Sequence, residues 1–130
     1  MKELPEALRP GATSRWTRAI TEEDVVRFAD LSGDRGRHHR ERDERGRLMA
    51  HGLLTATLPT KLGGDMDYMA RTMEFEFLKP VYSGDVLTCS GVVLSAAVQS
   101  ARYKVRFACE VRNQDGELVM RMNSSGQIAR

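Results

Sequence analysis

The 130-residue chain carries 20 lysines and arginines against 18 aspartates and glutamates, a formal charge of +2, and 41% of it is apolar. That suits one domain spanning 1–130. It is too balanced in charge for a broad nucleic-acid footprint and too apolar for disorder at so small a net charge. The longest stretch free of charged side chains, Val86 to Ala101, contains Thr, Ser, Gly and Gln and falls short of the roughly 20 apolar residues of a membrane span.

No apolar signal core follows Met1-Lys2-Glu3-Leu4-Pro5-Glu6. Cys89 and Cys109 lack CxxC spacing and a nearby His, which predicts reduced, semi-buried strand residues in a cytoplasmic protein, with neither disulfide nor metal site. An aromatic content of 6% predicts a modest core and favours burial by a second subunit.

Residues 1–12 show no period and read as an irregular lead-in. Ser14 to Ile20 reads as a short strand. Thr21-Glu22-Glu23-Asp24 starts a helix: Thr21 caps free N–H groups and the acidic residues sit at the positive end of the dipole. Val25, Phe28, Ala29 and Leu31 form its apolar stripe, and Ser32-Gly33 ends it. From Asp34 to Arg47 the chain is polar and irregular, with arginines at 35, 37, 40, 42, 45 and 47, acids at 41, 43 and 44, and a turn at Asp43-Glu44-Arg45-Gly46. Leu48 to Leu58 is the most hydrophobic helical candidate; Pro59 kinks or ends it and Gly63-Gly64 closes it.

The second half reads as β. Met73, Phe75 and Phe77 alternate with Glu74 and Glu76, as in a half-buried strand with one wet face. Ser83-Gly84-Asp85 turns the chain into strands at Val86–Leu94, Ala101–Val111 and Glu117–Gln127, the last two joined by an Asn113-Gln114-Asp115-Gly116 hairpin turn. The order predicts an α+β domain with helices on one face of an antiparallel sheet.

Three motifs follow one another. Phe28-Ala29-Asp30-Leu31-Ser32-Gly33-Asp34 is followed five residues later by His39, then Ala50-His51-Gly52-Leu53-Leu54, then Phe75-Glu76-Phe77-Leu78-Lys79-Pro80-Val81-Tyr82-Ser83-Gly84-Asp85. Together they resemble the MaoC-like, or hydratase 2, branch of the hot-dog fold. The resemblance implies a long central helix wrapped by the sheet, a homodimer joined edge to edge, and an (R)-specific enoyl-thioester hydratase, or the reverse dehydratase, acting on acyl-CoA or acyl-carrier thioesters without a cofactor. It matches Asp34 and His39 to the catalytic pair, Gly52 to the N–H that meets the thioester oxygen, and Thr60 to the hydroxyl that bonds the catalytic Asp. His38, Arg37, His51, Leu53 and Lys79 are the accompanying substrate-binding candidates, with Lys61, Arg102 and Arg106 as rival phosphate contacts.

These residue types suit the chemistry. Hydration of C2=C3 needs a group to orient and deprotonate water and an acid to protonate C2, and a carboxylate and an imidazole sharing one water do both. The developing enolate oxygen needs a fixed donor, which a helix N-terminus supplies. Two departures stand out. Gly36-Arg37-His38 replaces the family's Asn-Pro-aliphatic turn, which makes His38 the alternative imidazole, and the stretch from His39 to His51 is short and arginine-rich. The arginines predict a small cationic mouth suited to a polyanionic CoA thioester. A hot-dog thioesterase and a non-catalytic acyl-CoA binder are the alternative readings.

Overall fold

The computed structural model describes residues 4–130. Five antiparallel strands form one sheet in the order β1-β3-β4-β5-β2, with β1 Thr13–Ala19, β2 Met69–Phe77, β3 Val86–Gln99, β4 Arg102–Arg112 and β5 Leu118–Ala129. The helices are α1 Glu22–Ser32, α2 Arg37–Arg40, α3 Gly52–Thr55 and α4 Thr57–Asp65. None of the helices among the described residues is long and apolar enough to cross a membrane.

The lead-in expected over 1–12 is partly structured: Glu6–Leu8 makes a 3-10 turn, Leu8 enters the core, and Gly11 N–H donates to Val93 O. Residues 1–3 lie outside the described residues. α1 begins with a reciprocal capping box between Thr21 and Asp24 and ends at Gly33, whose φ of 79° is left-handed, so two local signals set both ends.

α3 and α4 are one helical run broken at Ala56. Pro59 has no N–H for the Thr55 carbonyl one turn back, which interrupts the ladder there. The hydroxyls of Thr57 and Thr60 donate to Leu54 O and Ala56 O at 2.6 and 3.0 Å, helping to satisfy the disturbed turn. The helix therefore passes through Gly63-Gly64 to Asp65, and starts at Gly52 rather than Leu48. Leu48 and Ala50 are instead extended and buried, with Ala50 N–H donating to Val81 O at 2.7 Å.

Leu54, Leu58 and Leu62, spaced four apart, bury against Leu87, Cys89, Val93, Val105, Phe107, Val111, Met120 and Met122 of β3, β4 and β5. The hairpin turn at Asn113–Gly116 closes with Asn113 N–H to Glu117 O at 3.0 Å. β2 departs from expectation: nearly all of it is exposed, Phe75 being the half-buried residue. It pairs with β5 on one edge only, and although Phe77 packs on Gly52 and Met73 lines a small cavity with Pro59 and Thr60 of α4, this chain leaves both side chains exposed.

Cys89 and Cys109 are free and fully buried. The neighbouring Cys89 thiol, followed by burial, pushes the Cys109 thiol upward. Because the thiolate is the reactive form, neither cysteine is expected to react with a chromogenic disulfide reagent until the chain is unfolded in denaturant. Stoichiometric labelling of the native protein would contradict this packing.

Candidate active site

The C-terminus of α1 sets the first functional group. Ser32 Oγ donates to Phe28 O at 2.7 Å and accepts the Asp34 N–H at 3.0 Å. Asp34 Oδ1 then accepts the Gly36 N–H at 3.0 Å, an Asx turn that starts the single helical turn α2. Gly36 sits close to both groups: a Cβ there would lie 3.1 Å from Asp34 Oδ1 and 3.6 Å from the His39 ring. This Asx turn with α2 stands where the family's Asn-Pro turn would be, and it turns His39 inward.

His39 is held by its Nδ1, which lies 2.7 Å from Met49 O. A carbonyl only accepts, so Nδ1 carries the proton and Nε2 presents a bare lone pair. That Nε2 is 3.7 Å from Asp34 Oδ2, too far for a direct hydrogen bond and close enough for one water set off the line between them to bond to both. The His39 side chain is 15% exposed and that of Asp34 57%. His38, the alternative imidazole, is exposed and lines a separate shallow hollow with Arg37, Arg42, Arg47 and Tyr82.

His51 is 3% exposed. Its Nε2 lies 2.8 Å from the Asp34 carbonyl, its Nδ1 is buried without a partner, and its ring stacks on His39 at 3.6 Å and 15° with Phe28 at 4.9 Å. Donor atoms of Asp34, His39 and His51 all fall within 4.8 Å of one another. Stacked rings aim their in-plane lone pairs side by side rather than at one point, a poorer arrangement for a shared metal than convergent ligands.

A cavity of about 600 Å³ opens beside this group, lined by Asp34, His51, Gly52, Leu53 and Lys79 together with Phe28, Met49, Thr55, Phe77, Leu78 and Val119. Gly52 and Leu53 begin α3, and no side chain caps their N–H groups, which leaves two donors at the positive end of the helix. The Phe77 ring packs so tightly on Gly52 that a Cβ would come within 2.9 Å of it.

The structure thus gathers Asp34, His39, His51, Gly52 and Leu53, parts Thr60, Arg37 and His38 from them, and leaves Lys79 at the rim. Thr60, expected to bond Asp34, donates to Ala56 O and lines a small cavity with Tyr68 and Phe107. Arg37 is paired with Glu41 at 2.6 Å, and with His38 it faces the outer hollow rather than the substrate cavity. Lys79 reaches the cavity rim but is ion-paired with Glu117.

The cationic mouth is also weaker than the arginine count implies. Arg35, Arg37, Arg42 and Arg47 pair with Asp30, Glu41, Glu22 and Asp43, and the Glu22 carboxyl is held below its usual range by Arg42. Arg40 and Arg45 have no carboxylate partner among the described residues. Thr55 and Val119 line the cavity without having been singled out in the sequence, and Phe28 and Phe77, read there as motif and core residues, form part of its wall. Thr55 had a signal, since it follows Gly52 by three on the same helix face; Val119 had none, because the sheet alone brings it in.

The motif ending in Gly84-Asp85 serves the frame. Asp85, 7% exposed, accepts Tyr82 N–H and Gln114 Nε2–H at 2.9 and 3.0 Å, which fixes the segment carrying Lys79 to Val81.

A family model described as the thioesterase superfamily matches residues 47–120. The 3-hydroxybutyryl-CoA dehydratase of Methylorubrum extorquens is 30% identical over 90% of this chain and 82% of its own length. The chain belongs to the MaoC-like hydratase/dehydratase family of the hot-dog fold. The R-hydratase PhaJ1 of Pseudomonas aeruginosa superimposes on this MaoC-like chain with a TM-score of 0.80 at 27% identity, covering 94% of this chain and 82% of that one. The (R)-hydratase from A. caviae, at 22% identity, shares the fold with a TM-score of 0.80 over 94% of this chain and 98% of its own.

Two substitutions separate the groups around the cavity. Thr60→Val removes a hydroxyl that serves only its own helix, and steady-state turnover is expected to change by less than about threefold. Gly52→Ala drives a methyl into the Phe77 ring, and overpacking of this kind costs about 1–3 kcal/mol; weaker substrate binding and a lower melting temperature should both be measured. A silent Gly52→Ala beside a crippled Thr60→Val would reverse the assignment.

Proposed function

We propose that this hydratase/dehydratase adds water across C2=C3 of a trans-2-enoyl thioester to give the (R)-3-hydroxyacyl thioester, and catalyses the reverse. One observation carries the reading. The His39 lone pair and the Asp34 carboxylate lie 3.7 Å apart, within reach of one shared water, and Asp34 lines an apolar cavity that also receives the start of α3 at Gly52. The names of its relatives, a 3-hydroxybutyryl-CoA dehydratase and an R-hydratase, support the same chemistry.

In the proposed reaction the acyl chain occupies the cavity and the thioester oxygen sits at Gly52 N–H. Asp34 Oδ2 orients the water and His39 Nε2 takes one of its protons as the hydroxide adds to C3. Negative charge moves to the thioester oxygen, where the Gly52 donor is strongest. The imidazolium, steadied by Asp34, returns a proton to C2, so one water is consumed and the pair is restored. The substrate, whether its carrier is CoA or an acyl carrier protein, brings no cofactor with it.

Crotonyl-CoA is the direct test. Loss of the enoyl ultraviolet absorbance without release of free thiol is expected, and Asp34→Asn and His39→Ala should each slow it by about a hundred- to ten-thousand-fold. Thiol release in place of hydration would make the protein a thioesterase, and a silent His39→Ala beside a damaging His38→Ala would move the base to the other imidazole.

The exposed side of β2 supports a homodimer. Met69, Met73, Phe77 and Leu78 are between 39% and 66% exposed along a strand whose outer edge is unpaired, an arrangement that a second sheet edge covers. Light scattering is expected to give twice the chain mass, and Met73→Glu should shift it to the monomer; a monomeric wild type would refute the pairing. The two free, buried cysteines support placing the enzyme in the reducing cytoplasm.

A further inference from the structure

We propose that His51 is a positioning residue for the Asp34–His39 pair: its imidazole holds the Asp34 segment by a hydrogen bond and serves as the platform on which the His39 ring is set. The inference rests on the hydratase reading and adds a residue that touches no reacting atom.

The Asp34 carbonyl only accepts, so the 2.8 Å contact with His51 Nε2 places the proton on Nε2. Nδ1 is then bare, and it is buried without a partner. A proton there would be an enclosed donor with no acceptor, so the surroundings select one tautomer. That tautomer grips the backbone of Asp34 while the ring face lies 3.6 Å from His39, tilted by only 15°. Phe28 packs against the His51 ring at 4.9 Å.

His39 is thus fixed by two restraints of different kind, Met49 O at Nδ1 and the His51 face. Its Nε2 has nowhere to turn but toward Asp34. The same residue precedes Gly52 and caps α3 through its own carbonyl, which accepts from Leu54 and Thr55 at 3.0 and 3.2 Å. One side chain therefore ties the water-activating pair to the helix end that meets the thioester. Misplacement of reacting groups by about 1 Å costs on the order of a hundredfold, so the effect is expected in turnover rather than in affinity.

The test compares His51→Gln, His51→Asn and His51→Ala. The glutamine amide N–H reaches the place of Nε2, whereas the shorter asparagine amide reaches that of Nδ1. With crotonyl-CoA, kcat of His51→Gln is expected within about tenfold of wild type and that of His51→Asn and His51→Ala lower by about a hundredfold, with KM within threefold in all. Equal losses in His51→Gln and His51→Asn, a loss confined to KM, or full kcat in His51→Ala would overturn the proposal. If His51→Ala does not fold, the Gln and Asn pair decides alone.

An independent arm reads the ring nitrogens by 15N NMR without any turnover. Wild type should show His51 as the Nε2–H form and His39 as the Nδ1–H form, and His51→Asn should mix the His39 tautomers. A His51 protonated at Nδ1, or a His39 indifferent to the substitution, would overturn the proposal even if hydration is confirmed. Because this arm needs no substrate, failure of the hydratase reading and failure of the positioning role are seen separately.

Discussion

The bond from the His51 ring to the Asp34 carbonyl closes a stretch of 17 residues, and the chemistry of the site depends on it. Without it the segment after α1 would keep the His39 and His38 bonds to Met49, but the end that carries Asp34 would be left with exposed pairs such as Arg35–Asp30, and pairs of that kind contribute little. A buried imidazole committed to one acceptor is a stronger restraint, because leaving such a group unpaired in the interior is costly. The structure places it where three parts meet: the end of α1, the turn that carries His39, and the start of α3.

The sheet does the slower work of aiming these parts. Leu54, Leu58 and Leu62 seat the broken helix against β3, β4 and β5, so the N-terminal end of α3 points at the cavity and its first N–H groups stay free. The break at Ala56 is tolerated because threonine hydroxyls cover neighbouring carbonyls. β2 is the exception. It supplies Phe77 to the cavity wall, yet its apolar side chains are left largely uncovered by the rest of the chain, and this ties completion of the wall to a second subunit in the proposed dimer.

Much of this was legible in order along the chain. Thr21 with Asp24, Gly33, and Asn113-Gln114-Asp115-Gly116 are local devices whose geometry follows from a few adjacent residues, and they appear where the sequence puts them. The grouping of Asp34, His39 and Gly52 followed from the motifs. Thr60 did not: the resemblance matched it by position, and in this helix, broken at Ala56 and interrupted by Pro59, its hydroxyl turns back to Ala56 O. α2 left no trace since a single turn has no period to detect. The arginine loop misled for a tertiary reason: Arg42 finds Glu22 on α1, a partner 20 residues away that no local count includes. The exposure of β2 was likewise hidden, because alternation of Phe and Glu reports which face is apolar and not whether anything covers it.

The account stands most directly on where a 3-hydroxyacyl thioester sits. A crystal structure of the protein with 3-hydroxybutyryl-CoA should place the C3 hydroxyl oxygen within about 3 Å of both Asp34 Oδ2 and His39 Nε2, with the thioester oxygen at a similar distance from the Gly52 nitrogen. A hydroxyl bound instead beside His38 in the hollow formed with Arg37 and Tyr82, or a thioester oxygen remote from Gly52, would contradict it.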